Sequence, residues 1–134
     1  MRHFEAIRSH LGSQHQLQRN DPYLISFDLP LPQGRSQGLY LAEMEDEAGL
    51  RYLRLSTPVG PLTGVDATRC LRFNWLQRTG FLAVENLDDT PYLHLCENRP
   101  YATLDDAELD RLILEIGTLG DQLERIIASG SDAL

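Results

Sequence analysis

Lysine is absent from the sequence. All 12 basic residues are arginines, which excludes Schiff-base chemistry, a phosphate-loop lysine and a lysine general base. Cysteine is scarce: Cys70 and Cys96 are the only two, each in an apolar segment and without metal-ligand spacing. They read as buried thiols rather than as a disulfide or a zinc site. No apolar run approaches the roughly 18 residues of a membrane span. The opening MRHFEAIRSHLG breaks its apolar residues with Glu5, Arg8 and His10 and so lacks the core of a signal peptide. Cytoplasmic residence is the expectation. A GxSxG elbow and a glycine-rich phosphate loop are missing too, and none of Ser9, Ser13, Ser26, Ser36 and Ser56 has the context of a nucleophile. No catalytic residue, metal ligand or cofactor is therefore assigned.

What is present describes one domain. A chain of 134 residues buries roughly two-thirds of its unfolded surface on folding, enough for one core. The formal charge of −8 repels a phosphate backbone, and no arginine cluster offsets it, so nucleic acid is not an expected partner. Acidic groups gather at Glu43, Glu45, Asp46 and Glu47 and at Asp88 and Asp89. Solvated hairpin tips look like this, whereas acid–base catalysis needs carboxylates in contrasting environments. His3 and His10 share a helix face at a spacing too wide for a helical metal site. His94 alternates with Leu93 and Leu95 and so points to the less buried side of a strand.

Along the chain, Phe4, Ile7 and Leu11 define a short amphipathic helix over residues 2–11, followed by a polar loop, SQHQLQRNDP. Alternation predicts strands over Tyr23–Leu29, Leu39–Met44 and Arg51–Thr57, the last stopped by PVGPLTG. Asp66 is a candidate N-cap for a helix over residues 67–78 with two apolar stripes, Cys70/Phe73/Leu76 and Leu71/Trp75, and Gly80 ends it. Phe81–Glu85 and Tyr92–Glu97 read as a hairpin joined by the loop NLDDTP. Thr103 and Asp106 resemble a capping signal for a closing helix whose Leu109, Leu112, Ile116, Leu119, Leu123 and Ile126 repeat at 3-4-3-4-3. That stripe needs a surface, and a five-stranded antiparallel sheet supplies it. The class is α+β, in the order α-βββ-α-ββ-α. Gly117 and Gly120 interrupt the closing helix at about 1 kcal/mol each, so either a backbone approaches closely there or the helix bends.

Polar residues in the early sheet suggest binding. Arg35 and Gln37 enter the second strand in GRSQGLYL, and Tyr40, Tyr52 and Arg54 lie on adjacent strands. These groups can line a groove in which aromatic faces and arginine donors hold a peptide. The groove requires that Tyr40, Tyr52 and Arg54 are not buried beneath the last helix. A second reading is a small-ligand sensor or enzyme with a pocket between that helix and the sheet, around Arg54 and His94.

The element order, LPQGRSQGLYL and LRLSTPVGPL in the early sheet, LRFN opening the middle helix, and GFLAV and PYLHL in the hairpin together resemble the YbjN-like proteins and the class I type III secretion chaperones of bacteria. The resemblance implies helices packed on a twisted antiparallel sheet, a homodimer, and ATP-independent binding of an extended segment of another protein, without enzymatic activity or cofactor. It places the dimer interface on Leu71, Phe73, Trp75 and Leu82. It places partner contacts on Phe4, Ile7, Leu39 and Leu41. The polar SQHQLQRN loop has no counterpart in that pattern.

Overall fold

The computed structural model describes residues 3–130; Arg2, at the expected start of the first helix, lies outside them. The elements are helix α1 (Phe4–Gly12), strands β1 (Arg19–Asp21), β2 (Leu24–Pro30), β3 (Ser36–Glu45) and β4 (Arg51–Pro61), helix α2 (Ala67–Leu76), strands β5 (Phe81–Leu87) and β6 (Thr90–Pro100), and helix α3 (Asp106–Ala128). They form an α+β fold with one antiparallel sheet in the order β1-β2-β3-β4-β6-β5. The sheet has six strands rather than five.

The additional strand is β1, whose residues pair with Leu24, Ile25 and Ser26. Its side chains are all exposed, so it carries no apolar alternation by which a strand is recognised. Backbone and polar contacts hold it instead. Gln18 N donates to Ser26 O at 2.8 Å, and Arg19 N donates to Ser26 Oγ at 3.2 Å. Strand β4 also runs past its expected end at Thr57. The register shifts between Pro58 and Gly60, and such a bulge lets a strand accommodate a proline that cannot donate to the ladder. The β5–β6 connection is tighter than the expected loop. Leu87 pairs with Thr90, and Asp88 and Asp89 both have positive φ, 49° and 66°, the backbone of a two-residue primed turn.

One face of the sheet is apolar. Ile25 and Phe27 of β2, Leu39 and Leu41 of β3, Leu53 and Leu55 of β4, and Leu93 and Leu95 of β6 are all fully buried there. Onto this face α3 lays Leu109, Leu112, Ile113, Ile116 and Leu123. Leu119 and Ile126, expected in the same stripe, are only half-buried, because the contact line passes through Gly117 and Gly120. A Cβ at Gly117 would lie 2.4 Å from Leu29 Cδ2, and one at Gly120 would lie 2.5 Å from Thr57 Cγ2. What approaches these glycines is side chains of the sheet rather than a backbone, and the helix continues through both.

Helix α1 seats Phe4, Ile7 and Leu11 in the same core. Its His10 ring reaches α3, 2.8 Å from Asp110 Oδ1 and 3.5 Å from Asp106 Oδ2. Helix α2 contributes Cys70 and, partly, Phe73. Asp66 caps α2 as expected, accepting from Thr68 N at 2.9 Å. The cap of α3 is Asp105, which accepts from Glu108 N at 2.8 Å, while Thr103 belongs to a short 3-10 turn before it. Helices α1 and α3 pack on this side and α2 packs at the β5 edge, which leaves the centre of the sheet's other side, with Tyr40, Tyr52 and Arg54, without a helix over it.

Candidate functional site: the uncovered sheet face

Strand alternation sends the remaining side chains to the uncovered face. At its centre, Ser56 of β4 stands between Tyr40 of β3 and Cys96 of β6, and Cys96 is opposite Phe81 of β5. In the next row Arg54 stands between Ala42 and Asn98, and in the row beyond it Tyr52 is opposite Met44. Tyr40 and Tyr52 are half-buried by their neighbours, and Arg54 is exposed. None of them lies beneath α3, so the condition set for a groove is met. Arg54 Nε donates to Asn98 Oδ1 at 3.3 Å. His94 points to this face as expected, with Nε2 3.0 Å from the Glu85 carbonyl and its ring tilted against Tyr92, centroids 6.2 Å apart.

Cys96 is nearly enclosed on this face, at 6% exposure. Burial pushes its thiol up to about 11, with the Arg54 charge opposing the shift. A thiol held protonated in this way is a poor nucleophile at neutral pH. Both cysteines are free.

The other residues expected to meet a partner lie elsewhere. Phe4, Ile7, Leu39 and Leu41 are core residues, each at 3% exposure or less, and offer a partner nothing in this fold. Gln37 is also buried on the helix side, because a period of two places it opposite in sense to Tyr40. Arg35 reaches toward α3, its Nε donating to Asp121 Oδ2 at 3.1 Å. The expected groove therefore divides: Arg35 and Gln37 support α3, while Tyr40, Tyr52 and Arg54 remain on the open face.

The support on the helix side is polar and buried. Gln37 Nε2 donates to Thr57 Oγ1 at 2.8 Å and to Pro58 O at 3.2 Å, and Thr57 Oγ1 donates to Gly38 O at 2.7 Å. Gln37 Oε1 is buried without a hydrogen-bond partner among the described residues. Nearby, desolvation raises the pKa of the Glu124 carboxyl; a hydrogen bond from Gln37 lowers it and Asp121 raises it further. The folded chain thus binds this proton more tightly than the unfolded chain does. The corresponding stability is present below the unfolded value and is lost as pH rises through the folded one. Glu124→Gln should raise the melting temperature at neutral pH, with the gain shrinking toward about pH 4; thermal denaturation at the two pH values checks this.

Helix α2 supplies a second surface. The Asn74 carboxamide pairs with edge strand β5, Nδ2 donating to Leu82 O at 3.1 Å and Oδ1 accepting from Leu82 N at 2.6 Å. It satisfies edge groups that a further strand would otherwise take. Leu71, Trp75 and Leu76 are 69%, 87% and 73% exposed, whereas Leu82 is 7% exposed and belongs to the core. Of the expected dimer residues, Leu71 and Trp75 stand on the surface, Phe73 only partly, and Leu82 does not. Leu76, expected to share the stripe of Cys70 and Phe73, joins the exposed group.

Two surface clefts lie near α1. One, of about 290 Å³, is lined by residues including Arg8, Tyr23 and Arg51; the other, of about 450 Å³, by residues including His15, Gln18 and Asp28. Arg54 and His94 line neither, and they face away from α3, so they cannot frame a pocket between that helix and the sheet. Among the described residues no group of three or more His, Cys, Asp or Glu is placed to hold a metal ion, and no helix is long and apolar enough to cross a membrane. No known protein-family model matches the chain, nor does any curated protein sequence.

Proposed function

We propose that the protein is a non-enzymatic, ATP-independent binding module that holds an extended segment of another protein, in the manner of a type III secretion chaperone or a YbjN-like regulator, and that it works as a homodimer. The observation that carries this reading is the uncovered sheet face, where half-exposed Tyr40 and Tyr52 flank the exposed Arg54. Tyrosine rings contribute contact area at low entropic cost, and arginine donates to carboxylates and carbonyls in a fixed geometry. The exposed Leu71, Trp75 and Leu76 of α2 support pairing with a second copy, since an apolar stripe of this kind gains by being covered. The second copy covers α2, and the partner segment lies across the open face.

Affinity capture from the native host, using the wild-type chain beside Tyr40→Ser and Arg54→Glu variants, tests the reading. A specific protein should be retained by wild type and lost from both variants, with melting temperatures within a few degrees of wild type. Equal retention by all three chains would remove the sheet face from the account.

A further inference from the structure

The geometry points to a carboxylate site at Arg54, so that the segment held on the open face is acidic at its centre; this rests on the binding role proposed above for the same face. A chain of net charge −8 attracts basic segments if its charge is averaged over the surface. The open face differs from that average. Among the described residues, arginines on the rest of the surface are mostly matched to carboxylates: Arg35 with Asp121, Arg78 with Glu115, Arg99 with Glu97 and Glu108, and Arg111 with Glu108 and Glu115. Among the described residues, Arg54 has no carboxylate within ion-pair distance. Its side-chain partner is the neutral Asn98. Arg8 and Arg72, also without a carboxylate partner among the described residues, stand on α1 and α2 rather than on the sheet.

The surroundings of Arg54 are neutral in every direction across the sheet. Tyr52 and Ser56 flank it along β4, Ala42 and Asn98 stand opposite on β3 and β6, and Tyr40, Met44 and Cys96 occupy the diagonal positions. Ala42 and Ser56 are small and leave room beside the guanidinium. Of the acidic groups near this face, Asp46 stands at the β3–β4 turn, where it accepts from Tyr52 Oη at 3.3 Å, and the others are on outer strands. Asp28 of β2 accepts from Gln18 Nε2 at 2.7 Å, and Glu85 belongs to β5, at the edge of the sheet. An extended segment crossing β3, β4 and β6 therefore meets uncharged side chains on either side of a single uncompensated cation. A glutamate or aspartate at its centre matches that arrangement. A lysine there would meet like charge.

Three short blocked peptides of alternating valine and threonine, differing only in a central glutamate, glutamine or lysine, test the site by titration into the isotopically labelled full chain, read by amide chemical shifts. The glutamate peptide should shift the signals of Tyr40, Arg54, Ser56 and Asn98 and bind roughly fivefold tighter than the glutamine peptide. The lysine peptide should bind weakest. The preference for glutamate should shrink as salt is added and vanish in Arg54→Gln, whose surface position leaves folding unchanged. If glutamate and glutamine peptides bind the face equally, or lysine binds best, the carboxylate site is overturned while the binding face stands. If no peptide shifts these signals, both the site and the binding face are overturned.

Discussion

Leu112→Ala should lower the folding free energy by about 2–5 kcal/mol and the melting temperature by roughly 10 °C or more. Leu112 is fully buried in the middle of the α3 stripe. Its truncation removes favourable burial and leaves a cavity that a helix seated through Gly117 and Gly120 cannot collapse to fill. Leu119 makes an internal control. It is half-buried, off the contact line, so Leu119→Ala should cost clearly less than Leu112→Ala. Chemical denaturation of the two variants beside wild type checks both the size and the ranking. Equal costs would mean that the helix is rotated from the orientation described. Neither substitution should weaken partner binding in the chain that remains folded, because α3 is scaffold on the far side of the sheet.

The second large effect concerns assembly. Wild type should scatter light as a particle of about twice 15.2 kDa, and Trp75→Glu should halve that mass. Trp75 is 87% exposed, so in the isolated chain a glutamate there disturbs nothing and the fold survives. In a dimer, the same substitution places charge within an apolar contact, where it is costly. Light scattering at high micromolar concentration decides it. A monomeric wild type would leave the α2 stripe without its proposed occupant.

The long elements were legible because their apolar periods are unambiguous: Ile25, Phe27 and Leu29 on β2, Leu53 and Leu55 on β4, and the leucines of α3. Strand β1 was not, because Arg19, Asn20 and Asp21 are all exposed and are held by backbone pairing that leaves no mark on residue type. The extension of β4 was hidden by Pro58 and Pro61, which read as a stop until the bulge before Gly60 is seen. The residues proposed for binding are half legible. The sequence places Tyr40, Tyr52 and Arg54 on neighbouring strands, and parity along β3 separates Gln37 from Tyr40, whereas the reach of Arg35 to Asp121 depends on where α3 packs. The partner role given to Phe4, Ile7, Leu39 and Leu41 came from resemblance, whereas their apolar spacing alone indicates the core they occupy. Asn74 as the cap of strand β5 could not be read from LRFN, because its partner Leu82 is fixed only by the way α2 packs against the sheet edge.

The central claim is that the uncovered sheet face holds another protein while α3 does not. Site-specific photo-crosslinking in the native host tests this most directly, with a photoreactive phenylalanine analogue placed at Tyr40, at Trp75 or at Leu114, which is 57% exposed on the outer side of α3. The account predicts crosslinks to a different protein from position 40, crosslinks to a second copy of this chain from position 75, and neither from position 114. Crosslinks to a different protein from position 114 but not from position 40 would contradict it.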